Sequence, residues 1–232
     1  MGAILKVENL VKYYEKKAAL DSVSFEIPAG KIVGLLGPNG SGKTTLIKIV
    51  NSLITDYSGN VLVDGHEIGI ESKKAVSYLP DADFLGSWMR IRTAIGMYAD
   101  FYENFDKAKA LEMIKVLGLN PNDKIKTLSK GMNEKFKLAL VMARKAKLYI
   151  FDEPIAAVDP AARDFIMETI LKNYNEEGSI LLSTHLISDI EQILDRVLFL
   201  KAGKLILDDE PENIREANKK SIDQLFREVF KC

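Results

Sequence analysis

The apolar run Ile32 to Leu36 opens directly into Gly37-Pro38-Asn39-Gly40-Ser41-Gly42-Lys43-Thr44. This octapeptide fits the pattern G-x-x-x-x-G-K-[ST], which constrains a fold tightly because such a loop works only between a buried strand and the start of a helix. Glycines let successive backbone N–H groups turn inward around a polyphosphate, and the helix N-terminus adds the positive end of its dipole. Lys43 contributes a full charge, and the Thr44 hydroxyl is a ligand type suited to Mg2+. Asn39, Gly40, Ser41, Gly42, Lys43, Thr44 and Thr45 are therefore the candidate phosphate-binding residues. A strand pattern before the loop and a helical pattern after it argue against a chance glycine-rich turn.

A second apolar run, Leu148 to Phe151, ends in Asp152-Glu153. In an open parallel sheet that ending places Asp152 at the carboxyl edge, beside a phosphate loop. Asp152 suits holding Mg2+ through water, and Glu153 suits polarising an attacking water. Adjacent side chains on an extended strand point to opposite faces, so the two acids are not expected to share one task, unless the strand end relaxes that geometry. Phosphate loop and acid pair together predict hydrolysis of the outermost phosphate of ATP.

The remaining pattern is that of an α/β protein. Alternation over Ala3 to Val11 and at Val23, Phe25 and Ile27, with a short run from Asn60 to Val63, predicts antiparallel sheet in the first quarter. Ile32 to Leu36, Leu148 to Phe151 and Ile180 to Leu182 are continuously apolar, as parallel strands covered on both faces must be. Thr93 to Arg144 reads as mostly helical, with Ala108, Leu111 and Ile114 at helical spacing and Gly118 as a C-cap. Asp159-Pro160 starts a helix running towards Tyr174. Ser221 and Gln224 form a capping box ahead of Leu225, Phe226 and Phe230. The 232 residues suit one domain. Their net charge of −1 supplies no basic field, so nucleic acid is not an expected partner. Cys232 is the only cysteine, which fits a reducing compartment. Met1 to Leu10 do not read as a secretion signal, and no run approaches the roughly 18 apolar residues of a membrane span.

Thr127-Leu128-Ser129-Lys130-Gly131-Met132 resembles the L-S-G-G-Q signature of ATP-binding cassette (ABC) proteins, and it precedes Asp152 at that family's usual distance. The resemblance extends over essentially the whole chain in the family's order: aromatic residue, phosphate loop, Q-loop position, signature, aspartate-glutamate strand, Asp159 loop and His185. It implies an α/β P-loop NTPase fold, with a mostly parallel central sheet flanked by helices, an N-terminal antiparallel β subdomain and a helical subdomain bearing the signature. The implied division is a single domain, 1–232, in which 1–80 and 146–232 form a RecA-like core with the β subdomain and 81–145 form the helical subdomain. It further implies that two cassettes face each other head to tail, so that Ser129 and Gly131 cap ATP bound by the partner's phosphate loop.

By the same resemblance Tyr14 stacks on adenine, with Tyr13 as the competing choice. Glu153 is the base, and His185 contacts the γ-phosphate. Asp159 links the two sites, although it is equally suited to capping its helix. Three positions depart from the pattern. Asp81, after Tyr78-Leu79-Pro80, stands where the family usually has glutamine and is a further candidate ligand for Mg2+. Lys130 replaces a glycine, adding positive charge near the neighbour's phosphates, and Met132 replaces a glutamine.

A lone cassette without membrane spans resembles the separate ATP-binding subunit of a bacterial transporter, and Ser221 to Phe226 resemble the tail of the ABC-2 exporter branch. The resemblance implies integral membrane permease subunits as partners and a cytoplasmic location, peripheral on the inner face of the membrane. Phe84, Trp88 and Met89 lie where such subunits receive the permease, while burial within the helical subdomain is the competing reading. The alternative function is a soluble ABC-type ATPase acting on a protein or nucleic acid without a membrane partner.

Overall fold

The structure, a computed structural model, describes residues 2–156, 159–173 and 178–231. Tyr174, towards which the helix after Asp159 was expected to run, and Cys232 lie outside the described residues. The chain begins with a long hairpin, β1 (Ala3–Tyr14) and β2 (Lys17–Pro28), followed by β3 (Ile32–Leu36) and helix α1 (Lys43–Val50). Next come β4 (Ser58–Val63), β5 (His66–Glu67), α2 (Ile70–Ala75) and β6 (Val76–Leu79). Three helices follow, α3 (Ile91–Phe101), α4 (Lys107–Val116) and α5 (Lys130–Met142), and then β7 (Leu148–Asp152). The last part holds α6 (Pro160–Asn173), β8 (Ser179–Thr184), β9 (Arg196–Lys201), β10 (Lys204–Asp209), α7 (Pro211–Asn218) and α8 (Ile222–Phe230).

The strands form two sheets. One is antiparallel in the order β2-β1-β4-β5; the other runs β10-β9-β3-β8-β7-β6, parallel except at its edge strand β10. Continuous apolarity in β3 follows from this arrangement. Val33 and Leu35 face α1 and the antiparallel sheet, whereas Ile32 and Leu36 face the core on the other side, with Phe151, Ile166 and Phe226. The antiparallel strands are longer than their alternation suggests. β1 continues three residues past Val11 to Tyr14, which pairs with Lys17 of β2.

Helices α3, α4 and α5 share a core of their own, including Ile91, Ile95, Ala110, Ile114, Phe136 and Leu140. Within α4 the buried face differs from the expected one: Ala110 and Ile114 are buried, but Leu111 is 42% exposed. Ala110 and Ile114, four residues apart, form the stripe that faces the helical core, and Leu111 lies outside it. Gly118 ends this segment with φ +68, and Ser221 and Gln224 cap α8 reciprocally at 3.1 and 3.0 Å. Among the described residues no helix is long and apolar enough to cross a membrane.

Candidate active site

The loop between β3 and α1 is packed too closely for side chains at Gly37 and Gly42. Gly42, the N-cap of α1, has φ +113, and a Cβ there would lie 2.5 Å from the Ala19 carbonyl oxygen. Lys43 is buried; its ammonium donates to the Gly37 carbonyl at 2.6 Å and lies 3.3 Å from Glu153 Oε1. A cleft of about 340 Å³ opens over the loop, lined by Asn39 to Thr45, Asp81, Glu153 and Tyr14. Tyr13, half exposed like Tyr14, does not line it. Lys12 stands behind, its ammonium 5.1 Å from the centre of the Tyr14 ring and 2.8 Å from Asp56.

The acid pair sits at the carboxyl end of β7, where Asp152 is in register with Ser183 of β8. Asp152 is buried, with Oδ1 accepting from the Ser183 hydroxyl at 2.6 Å and the Thr44 hydroxyl at 3.5 Å. Its Oδ2 is buried with no hydrogen-bond partner. Burial pushes the Asp152 carboxyl above its ordinary range; the two hydroxyls pull it down, and the negative charges of Glu153 and Asp81 add to the rise.

Strict strand alternation would have sent Glu153 to the other face, but the strand end relaxes that geometry. Glu153 has φ +53, a left-handed conformation uncommon for a residue with a side chain, and this breaks the alternation. Asp152 and Glu153 consequently line one cavity of about 230 Å³ together with Asp81. Glu153 Oε2 lies 3.0 Å from Nδ1 of His185, while Oε1 is near Lys43 without hydrogen-bond alignment.

Ser183 has a role that the sequence reading missed. Besides its bond to Asp152, its hydroxyl accepts the Glu153 backbone N–H at 3.1 Å, so one side chain orients both acids. Its position in β8, ahead of Thr184-His185, was the available signal. Ser183→Ala is expected to leave Asp152 Oδ1 without its closest donor, costing about 1–2 kcal/mol in thermal or urea unfolding. Turnover should fall more than apparent ATP affinity, which steady-state kinetics will show; equal losses in both would contradict an orienting role.

The signature residues are elsewhere. Ser129 caps α5, accepting the Met132 N–H at 3.3 Å, and a Cβ on Gly131 would meet nothing within 4 Å. Neither lines the phosphate cleft or the acid cavity, and Asp159, exposed ahead of α6, lines neither as well. Lys130 does reach the acid cavity of its own chain, beside Asp83 and Glu134, where the sequence reading had considered only a neighbour's phosphates. Among the aromatic candidates for partner docking, Phe84 lines a groove of about 500 Å³ with Tyr78, Tyr98 and Tyr102, and Trp88 is 72% exposed. Met89 is instead buried in the helical core, so it offers no surface.

The family model described as ABC transporter matches residues 20–156. The linearmycin resistance ATP-binding protein LnrL of Bacillus subtilis (strain 168) is 32% identical over 88% of this chain and 68% of its own length. The lantibiotic transport ATP-binding protein SrtF of Streptococcus pyogenes is 30% identical over 92% of this chain and 95% of its own. Among solved structures, an ATP-binding subunit of an ABC transporter superimposes with a TM-score of 0.86 at 25% identity, covering 97% of this chain and 99% of that one. With the phosphate loop, the acid pair and the two-sheet architecture in place, these likenesses show that the chain belongs to the ABC transporter family and is an ABC-type ATPase.

Proposed function

We propose that two copies of this chain, or this chain and a close relative, close head to tail around two Mg-ATP, hydrolyse them and reopen, driving transport through separate membrane subunits. The observation that carries this reading is the separation of the site into halves. Phosphate loop, Tyr14, Asp81, Asp152 and Glu153 surround the cleft and cavity of one chain, whereas Ser129, which is exposed, and Gly131, which is half-buried, line neither. Hydroxyl and backbone N–H donors at the start of α5 are suited to charge spread over γ-phosphoryl oxygens, and a second chain supplies those oxygens. The body 81–145 would carry the signature, and 1–80 with 146–232 would carry the nucleotide.

The residues fit Mg2+. The orphaned Asp152 Oδ2, the Thr44 hydroxyl and the Asp81 carboxylate offer the hard oxygen ligands this ion takes. Bound there with ATP, Mg2+ supplies charge neutralisation at the phosphate oxygens. The Lys43 ammonium, held by Gly37 and near Glu153, turns to the phosphates when they bind. That releases Glu153 to accept the proton of the attacking water, with His185 steadying Oε2. Tyr14 stacks on the adenine, and Asp159 joins the two sites across the interface.

Export is the direction favoured by the names of LnrL and SrtF, which concern linearmycin resistance and lantibiotic transport. The groove at Phe84, with exposed Trp88 nearby, would receive the permease on the inner face of the cell membrane. Affinity purification of the tagged chain from detergent-solubilised membranes is expected to recover an integral membrane protein in stoichiometric amount. Recovery of soluble partners alone would favour an ABC-type ATPase that works without a membrane.

A further inference from the structure

Tyr14 closes β1 and pairs with Lys17 across the hairpin turn, where Glu15 has φ +54. Its ring is 49% exposed and lines the phosphate cleft, so it lacks the close packing that fixes an aromatic side chain in a core. Among the described residues no hydrogen bond from its hydroxyl and no neighbouring aromatic ring holds it. What it has is Lys12, two residues earlier on the same strand, whose ammonium stands 5.1 Å over the ring centre. Lys12 does not line the cleft, so the cation sits on the side of the ring turned away from it.

A lysine is a costly residue in this place. Its side chain is only 7% exposed, and its partner Asp56, at 2.8 Å in the connection between α1 and β4, has a side chain 98% exposed. Taking an ammonium out of water is unfavourable, and a pair with so exposed a carboxylate offsets little of that. An apolar side chain of similar length would fill the space without a buried charge. The charge is explained by the other group it meets, the Tyr14 ring. A cation over a tyrosine face is attracted by the ring quadrupole, the more strongly when desolvated. It also draws π density towards itself, which leaves the opposite face poorer in electrons and better suited to stack on an electron-rich purine.

We infer that Lys12 is a positioning residue for base recognition: its ammonium holds and polarises the Tyr14 ring from behind, so that the face towards the cleft is presented to the adenine. The role rests on Tyr14 being the adenine platform, as proposed above. It also separates the two adjacent tyrosines, since Tyr13 does not line the cleft and, among the described residues, has no cation over its ring.

Lys12→Met keeps the unbranched stem and removes the charge. Steady-state formation of ADP gives kcat and KM for ATP, and Mg-tripolyphosphate, which has the phosphate chain but no base, serves as a competing inhibitor. Lys12→Met should raise KM for ATP about fivefold, an effect between the exposed and the desolvated limits of a cation–π contact. Both kcat and the inhibition constant of tripolyphosphate should change by less than about twofold. Lys12→Arg, which restores a cation, should bring KM to within about twofold of wild type. Tyr14→Ala should raise KM for ATP at least as much as Lys12→Met, and in that background Lys12→Met should add nothing, because the two side chains act as one unit. An unchanged KM in Lys12→Met beside a raised one in Tyr14→Ala overturns the role of Lys12 alone. So do tripolyphosphate inhibition that weakens in step with the rise in KM, an additive effect in the double variant, and a Lys12→Arg chain as impaired as Lys12→Met. An unchanged KM in Tyr14→Ala removes the platform itself, and with it any role for Lys12.

Discussion

A Glu153→Gln chain is expected to bind ATP, to lose turnover by about 10²–10⁴-fold, the range of a general base, and to accumulate as an ATP-bound dimer. Glutamine keeps the shape of glutamate, so the backbone at φ +53 and the contact with His185 need not change. What is lost is the carboxylate proposed to accept a proton. Without hydrolysis the nucleotide stays, and in the proposed head-to-tail arrangement, where ATP would bridge two chains only in the closed form, mass action would hold them together. Size-exclusion chromatography with light scattering at saturating Mg-ATP reads the outcome. Adding Gly131→Asp gives the control. An acid in the first turn of α5 suits the helix dipole and a Cβ there meets no neighbour, so the fold is retained. Placed against a partner's phosphates, however, that charge repels them, and the double variant should remain monomeric. A Glu153→Gln chain that is monomeric in saturating ATP would end the head-to-tail reading.

The phosphate loop was legible because its chemistry is local: glycines, lysine and threonine must be consecutive, and the strand and helix on either side have their own periodicities. Asp152 was legible for a related reason, since an apolar strand ending in an acid fixes which edge of the sheet that acid occupies. The orientation of Glu153 was not, because a left-handed dihedral at a residue with a side chain leaves no mark in hydrophobic periodicity. Ser183 was hidden differently. Its function comes from the register of β7 against β8, which brings together residues 31 positions apart. Lys12 was hidden for a third reason. In an alternating strand a lysine marks the solvent side, and only tertiary structure shows it buried, with Asp56 answering its charge and the Tyr14 ring beneath its ammonium. The hairpin of β9 and β10, turning at Ala202-Gly203, did carry a usable signal, an apolar run broken by a turn with φ +47 and +80. Leu111 illustrates the limit of helical spacing: the spacing identified α4, but Ala110 and not Leu111 shares the buried face with Ile114, because residues four apart on a helix lie on one side.

Asp152→Asn is expected to separate stability from activity, with opposite signs. Among the chain's own groups the carboxyl is buried and one oxygen has no hydrogen-bond partner, so its ionised form is penalised. An amide still leaves a polar atom unpaired, but a neutral one, and can accept the Ser183 hydrogen bond; the variant should gain about 1 kcal/mol at neutral pH. The pH dependence follows from the direction of the shift. A carboxyl whose folded pKa is raised gives its full contribution to stability below the unfolded value, and loses it as pH rises through the folded one. The advantage of the variant should therefore be present at neutral pH, shrink as pH falls through the raised folded pKa, and be gone below the ordinary carboxylate value. Mg-ATP should invert the ranking. The wild-type carboxylate then has a cation to answer its charge and gains stability by binding, whereas the amide binds the ion poorly and turnover falls on the order of 100-fold or more. Thermal unfolding across pH, with and without Mg-ATP, together with phosphate release, measures each part. If the variant is less stable than wild type without nucleotide, or equally stabilised by Mg-ATP, then Asp152 is not a buried anion kept in place for a metal.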